Sequence, residues 1–349
     1  MPVFRAEQLR NMGTEIFAAA GAPLEEAKLV SEFLVKANLA GHDSHGAIRI
    51  VQYVNAIERG ELKPGAEIKV VRETRSSALL NGNWGFGQVV AKRAMEIAIE
   101  KATESSVGTV CAFNLYHIGR LADYTAMALQ KDMIGIVMAN SRKSVAPHGG
   151  RERLLSTSPL SYAFPTGEEN PFILDIATSV CAEGKVRVRL HKGENLPDGC
   201  IIDKDGNPSN APKDLYQGGA ILPLGGDSLG YKGFGLALVV ETLSGILSGA
   251  GCAYEAEKKG NGVFFQALDI ESFMPIDEFK RRSDNLIQAV KSSKLRPGFD
   301  EILIPGEPEL RTEKKRLEEG VYVPEKTWEE LKSIGMKLGL DLVSVTANQ

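Results

Sequence analysis

Between residues 68 and 138 short β-branched runs alternate with helix-length segments, and no other property of the chain limits its fold as much. Residues 68–71, 78–80, 107–113 and 134–138 have the β-branched enrichment and length of strands. Residues 88–104 and 121–131 separate them with apolar positions at helical spacing. The order strand, helix, strand, helix, strand predicts an α/β fold. Ahead of it the chain is helical: Leu9, Ile16, Phe17, Leu24, Ala27, Leu29, Val30, Phe33 and Leu34 follow the helical period, and Gly21-Ala22-Pro23 divides them into two helices. A third helix is expected from about Gly46 to Arg59, ended by Gly60 and Pro64. Further on, the spacing predicts a helix over 233–247, a strand over 262–268, a helix over 276–292, and charged amphipathic helices near 310–319 and 324–338. Residues 147–171 and 196–226, rich in turn formers, are expected to be long functional loops. The expected organisation is an N-terminal helical region (1–72) packed with C-terminal helices (300–349), beside an α/β cofactor-binding and catalytic domain (73–299).

Composition excludes several classes. The 41 basic and 45 acidic residues give a net charge of −4 with no block of five or more like charges, so neither nucleic acid nor a membrane surface is an expected partner. The four cysteines, Cys111, Cys181, Cys200 and Cys252, form no C-x-x-C pair or disulfide framework, which suits a reducing cytoplasm. Residues 1–12 lack the apolar core of a secretory signal. The most apolar stretch, 234–251, carries Glu241 and Thr242 at its middle, as a packed helix would.

Histidine is scarce, five in the whole chain, yet two share the run Gly41-His42-Asp43-Ser44-His45-Gly46. On a helix, His45, Arg49 and Tyr53 would lie at about 0°, 40° and 80°, with Ala47, Ile50, Val51, Val54 and Ile57 at about 120° to 240°. A polar stripe then borders a buried face. Histidine moves a proton near neutral pH, arginine forks onto a carboxylate, and tyrosine adds a hydroxyl, a set suited to a small oxo- or hydroxy-acid. The plainer reading makes His45 a helix cap and Arg49 a solvated surface residue, and spacing alone does not separate the two. No metal is expected at His42 and His45, because Asp43 would point elsewhere on the helix and no H-E-x-x-H or cysteine partner accompanies them.

Three further segments could hold a ligand. Asn114-Leu115-Tyr116-His117-Ile118-Gly119-Arg120 links a strand to a helix, where ligands gather and free N–H groups attract phosphate. Asp175-Ile176-Ala177-Thr178-Ser179 with Gly184-Lys185 looks like a strand end entering a helix whose first turn carries hydroxyls, and Gly230-Tyr231-Lys232-Gly233-Phe234-Gly235 places a lysine at a glycine-flanked helix entrance. An ordinary loop histidine, an N-cap and a structural joint are the bland equivalents.

Two searches fail informatively. Gly82-Asn83-Trp84-Gly85-Phe86-Gly87 has the wrong order for Gly-x-Gly-x-x-Gly, and Gly260-Asn261-Gly262 has Phe265 where the third glycine belongs. A standard Rossmann fingerprint is absent, as is a Walker lysine motif. Gly226-Asp227-Ser228-Leu229-Gly230 matches a nucleophile elbow, but every histidine precedes Ser228, against the order of α/β-hydrolases, and the flanking Pro223 and Gly225 make a poor strand.

Taken in order, Leu39-Ala40-Gly41-His42-Asp43-Ser44-His45-Gly46 with Arg49 and Tyr53, Tyr116-His117-Ile118-Gly119-Arg120, Val145-Ala146-Pro147, Asp175-Ile176-Ala177-Thr178-Ser179, Leu222-Pro223-Leu224-Gly225, Tyr231-Lys232-Gly233-Phe234-Gly235-Leu236 and Leu303-Ile304-Pro305-Gly306-Glu307 resemble the type-2 malate/L-lactate dehydrogenase family over nearly the whole chain. His191-Lys192-Gly193, Pro197-Asp198-Gly199-Cys200 and residues 309–320 look most like the hydroxycarboxylate dehydrogenase B branch. The resemblance implies an oxidoreductase of 2-hydroxy and 2-oxo acids, or of related imino acids, using NAD or NADP on a non-Rossmann mixed sheet. It implies a homodimer with shared active sites. His45 with Ser44 would form the acid/base unit, Arg49 the carboxylate clamp, and His117 a second catalytic or nicotinamide-side group. Cofactor contacts would come from His45, Gly119, Arg120, Leu121, Asp175, Ile176, Ala177, Thr178, Ser179, Lys232, Gly306 and Glu307. A catalytically idle ligand-binding protein on the same fold is the alternative. Two departures bear on substrate identity: Ser156-Thr157-Ser158-Pro159 stands where the family usually reads Gly-Thr-Asn-Pro, and residues 226–230 look like an insertion that lengthens the loop before Lys232. Between the two histidines, the position of His45 one helical turn before Arg49 assigns it the proton.

Overall fold

The computed structural model describes residues 2–255 and 260–342. The two opening helices form as the spacing predicts, Ala6–Ala19 and Leu24–Leu39, and the third is shorter, Arg49–Glu58. It starts late because Asn38 intervenes. The Asn38 Oδ1 accepts the Ala47 N–H at 2.8 Å, closing a separate 3₁₀ turn, Asp43–His45, ahead of the helix. A Cβ on Gly46 would stand 2.2 Å from that same oxygen, so only glycine passes here.

Seven strands form one mixed sheet in the spatial order Lys69–Glu73, Ser77–Gly85, Val107–Leu115, Asn261–Asp269, Met133–Asn140, Leu160–Phe164, Phe172–Ile176. Only Ser77–Gly85 and Val107–Leu115 are parallel, joined by the crossover helix Gly87–Ser105; all other neighbours are antiparallel. The strand Asn261–Asp269 enters the middle of the sheet from far along the chain. It separates strands that the sequence pattern alone would set side by side. Leu160–Phe164 lies inside the stretch expected to be loop, where Pro147, Pro159, Pro165 and Pro171 mask a five-residue run.

Among the described residues five apolar clusters hold the chain, and the three largest position the site. Leu9, Ile16, Phe17, Val30, Leu34, Ile50 and Val54 pack with Val321, Val323, Leu331 and Ile334, so the segment after the helix Glu307–Glu319 and the helix Glu325–Lys337 join the N-terminal core. Val90, Ala94 and Ala98 of the crossover helix pack on Val110, Ala112, Val263 and Phe265 of the sheet. Gly108 permits this closeness: a Cβ there would meet the Ala98 carbonyl oxygen at 1.9 Å. A third body, absent from the sequence expectation, builds residues 196–226 into the three-stranded sheet Ala220–Ile221, Ile201–Ile202, Pro208–Ser209 and the short helix Pro212–Tyr216, around Val186, Leu196, Leu215 and Ile221. Strands of two residues carry too little periodicity to be legible.

The helix expected at 233–247 begins instead at Gly226, where Gly225 and Gly226 take φ of 104° and 60° and turn the chain into Gly226–Val240, continued by the π-helix Glu241–Ile246. Residues 226–230 are therefore first turns of a helix rather than loop. Ser228 is exposed on it.

Candidate active site

The 3₁₀ turn Asp43–His45 brings Ser44 Oγ within 3.0 Å of His45 Nδ1. Arg49, at the start of its helix, donates from Nε to the Ser44 carbonyl at 2.7 Å and from one terminal nitrogen to Gln52 Oε1 at 2.5 Å. His45, Ser44 and Arg49 thus form one unit, as expected, although His45 is not on the helix of Arg49. The helical stripe that linked them does not exist. Tyr53 also departs from it, being completely buried among Phe17, Phe86 and Tyr116 instead of standing at a polar border.

Burial gives Tyr53 another role. Its hydroxyl lies 2.7 Å from His117 Nδ1 and accepts from Gln88 Nε2 at 2.8 Å. It can donate either to Nδ1 or to the His117 carbonyl at 3.4 Å, so it can serve the imidazole with or without a proton on Nδ1. His117 and His45 then stack, ring centres 5.5 Å apart at 25°. Neither ring uses Nε2 for a hydrogen bond among the described residues. Two distant segments, 44–49 and 116–117, therefore place two imidazoles and a guanidinium in one cluster.

The electrostatics favour neutral rings. Burial, followed by the Arg49, His42 and Arg120 charges, lowers His45 to about 3, and burial with Arg49 and His45 holds His117 well below the usual histidine range. Burial also raises Tyr53 above the usual phenol value, so it stays a hydroxyl. His42 faces elsewhere, pairing with Glu309 at 3.3 Å, and Asp43 pairs with Arg316.

The helix Glu183–Lys192 closes on this cluster, for a Cβ on Gly184 would stand 3.0 Å from Ser44 Cβ. Its start at Glu183 leaves Thr178 and Ser179 several residues short of the first turn where the sequence put them. Ser179 Oγ bonds the Cys181 carbonyl, and Thr178 donates from N and Oγ1 to the Thr157 carbonyl at 3.0 and 3.2 Å.

The phosphate expectation at the helix after His117 also changes. Asp175 Oδ2 accepts the Ala122 N–H at 2.8 Å, so the entrance of helix Ala122–Leu129 is already capped by a carboxylate. Arg120 pairs with Asp123 at 3.3 Å, while Arg120 Nε and Asp123 Oδ2 are buried and unpartnered. Burial pushes Asp123 up to about 6 and Asp175 above the usual carboxylate range. Gly119, Leu121, Ile176 and Ala177 lie in these same segments. Lys232 lies inside the helix Gly226–Val240, exposed beside the Tyr231 ring, and is not at a helix entrance. Gly306, at φ 102°, abuts Ile173, and Glu307 is engaged by Lys291 and the Ile304 N–H; burial raises its carboxyl, but these partners more than offset that and keep it below the usual range. Gln88 and Gln52 carried no signal in the sequence, since a single glutamine in a helix is unremarkable until its neighbours are known.

The family described as malate/L-lactate dehydrogenase matches residues 4–332. The malate dehydrogenase of Pyrococcus horikoshii is 41% identical over 96% of this chain and 95% of its own, and the solved structure of malate dehydrogenase from that organism superposes with a TM-score of 0.90 over 97% and 96% of the two chains. The L-sulfolactate dehydrogenase of Methanocaldococcus jannaschii is 40% identical over 97% of this chain and 98% of its own. Hydroxycarboxylate dehydrogenase B of Escherichia coli K12 is 33% identical over 97% of this chain and 94% of its own. With a family match over almost the whole length and relatives this similar end to end, the chain belongs to the malate/L-lactate dehydrogenase family of oxidoreductases.

Proposed function

We propose that this chain interconverts a 2-hydroxy acid and its 2-oxo acid, with NAD or NADP as the redox partner. The observation that carries the reading is the stacked pair His45 and His117 beside Arg49 in one half-buried cluster, where burial and the Arg49 charge favour neutral rings. Relatives named malate and sulfolactate dehydrogenase support an acid whose carboxylate adjoins the reacting carbon.

Arg49 binds the carboxylate. Ser44 and Gln52 hold part of its guanidinium fork and aim the rest. His117 carries the proton to or from the substrate oxygen at Nε2, because Tyr53 and Gln88 orient the ring in both protonation states. This moves the proton from His45, whose claim rested on a helix it does not share with Arg49. His45, steadied by Ser44, packs on the opposite ring face and shapes the site. Because the Arg49 charge depresses both histidines, a bound carboxylate that neutralises it raises their proton affinity once substrate is in place.

When bound, the nicotinamide supplies or accepts the hydride. The unpartnered Arg120 Nε and Asp123 Oδ2 fit the polar groups of a dinucleotide, and Arg120, Asp175 and residues 176–179, with Gly119 and Leu121, would hold it. Lys232, Gly306 and Glu307 form the outer part of that set. The N-terminal helices and the C-terminal helices that pack on them supply the His45 side of the site, and the sheet domain supplies the His117 side; residues 1, 256–259 and 343–349 lie outside the described residues. We further propose a cytoplasmic homodimer joined through the exposed Leu229, Leu236, Val239 and Ile246 of one helix, a mass that light scattering reads directly.

The test is a fluorescence titration with NADH and NADPH followed by a scan of 2-oxo acids. Binding in the micromolar range, on the order of −8 kcal/mol, and turnover of at least one 2-oxo acid are expected. Binding without turnover would leave a ligand-binding protein on the same fold, and no response to either nucleotide would remove the reading.

A further inference from the structure

The apolar helix that carries Lys232 ends in a π-helical turn, and the first residue of that turn, Glu241, is buried with no cation beside it among the described residues. Five neutral donors surround the carboxylate. Oε2 accepts from Asn140 Nδ2 at 2.8 Å and from the Ala253 N–H at 3.1 Å; Oε1 accepts from Ser156 Oγ at 3.0 Å, from Ser158 Oγ at 3.2 Å and from the Ser156 N–H at 3.5 Å. Gly245 lets the turn come this close, since a Cβ there would stand 2.7 Å from Asn140 Nδ2. Such one-turn π-helices cluster at functional positions.

From Glu241 the bonds run in two directions. Toward the sheet, Asn140 accepts from Asn261 Nδ2 through its carbonyl at 2.6 Å, and Asn261 Oδ1 accepts the Ile118 N–H at 3.0 Å, one residue after His117. Toward the opposite edge, Ser156 and Ser158 fix the bend at Ser158, where φ is 40°, and the intervening Thr157 carbonyl receives both the N–H and the hydroxyl of Thr178. All the linking side chains are buried, so water does not compete for these bonds.

We propose that Glu241 is a positioning residue that ties the His117 segment and the Thr178 segment into one unit, setting the reacting histidine and the cofactor wall in a fixed relation. The proposal rests on the reading of those segments as the active site. Among the described residues Asn140, Ser156, Ser158 and Glu241 make no hydrogen bond to either histidine, so the tie acts through Asn261 and Thr157.

Hydrogen–deuterium exchange tests it without activity. In Glu241→Ala, amide exchange over residues 116–121 and 176–180 should rise together, at least tenfold, while residues 108–112 of the central strand stay within twofold of wild type. Glu241→Gln, which keeps an acceptor toward Asn140 and Ala253, should stay within threefold throughout. Kinetics supply the second readout: kcat should fall at least tenfold in Glu241→Ala at temperatures well below unfolding and recover in Glu241→Gln. Should Glu241→Ala not fold, the paired Ser156→Ala and Ser158→Ala substitutions take its place, with the same joint rise expected. A rise in only one of the two segments, a uniform rise over the whole chain, or no rise overturns the proposal. A wild-type protein that binds no nicotinamide would instead count against the catalytic reading, leaving the exchange result to stand by itself.

Discussion

The two histidine-bearing segments reach the same place by different means. Around His45 nearly every contact is local: Ser44 on the ring, Asn38 on the Ala47 N–H, and Arg49 on the Ser44 carbonyl, all within about a dozen residues. Around His117 nearly every contact is distant: Tyr53 on Nδ1, Gln88 behind Tyr53, and Asn261 on the following N–H. A locally braced ring can be recognised from a motif, whereas a ring braced from three other elements has its role set by the fold. The second kind of bracing is also the one that controls a tautomer, because it supplies a partner able to donate or accept.

The sharpest way to break this comparison is to remove each ring. His117→Asn is expected to lower kcat by about 10² to 10⁴ with the protein folded, whereas His45→Asn should cost about tenfold. Single-turnover kinetics on the best 2-oxo acid decide it; the reverse ranking would return the proton to His45. Next in size is Arg49→Met, expected to cost roughly 3 to 5 kcal/mol in kcat/KM while leaving nicotinamide affinity nearly unchanged. Unaltered kinetics on carboxylate substrates would make Arg49 a purely structural anchor of the Ser44 turn.

Tyr53→Phe should act on one segment only. Losing the hydroxyl leaves Gln88 and His117 unpaired, so about a tenfold loss in kcat is expected, together with a shifted acid limb of the pH–rate profile. A loss in nicotinamide affinity with an unmoved profile would mean that Tyr53 supports packing alone. The smallest effect concerns stability. His45 is neutral in the folded chain down to about pH 3, whereas an unfolded histidine takes a proton below about 6.5. The stability it contributes is present above 6.5 and declines as pH falls from there toward 3, by about 1.4 kcal/mol at one unit below 6.5. Thermal melts at pH 7.5 and 5.5 should therefore converge for His45→Asn relative to wild type, and equal slopes for the two proteins would refute the neutral ring.

What could be read in advance followed from periodicity and local motif. The helices either side of Gly21-Ala22-Pro23 and the crossover helix Gly87–Ser105 emerged near their expected limits, because their apolar spacing recurs over many turns. The Ser44, His45 and Arg49 unit was legible too, since its members are within six residues. Lys232 was misplaced because glycines at 225, 226, 230 and 233 look alike in sequence, and only the backbone shows that the turn uses the first two.

The sequence by itself determined the class of the molecule: helical ends, an alternating middle, no Rossmann glycines, and a histidine close to an arginine. The tertiary structure decided how these were assembled. It inserted Asn261–Asp269 into the centre of the sheet, turned Tyr53 inward to hold His117, capped the Ala122 helix with Asp175, and gathered Asn140, Ser156, Ser158 and the Ala253 N–H around Glu241. Each of these depends on long-range pairing. Such contacts form only when distant apolar faces are buried together, and buried polar groups then have to find partners from whatever element lies opposite. A one-dimensional pattern encodes which faces are apolar, and it does not encode what will lie opposite them.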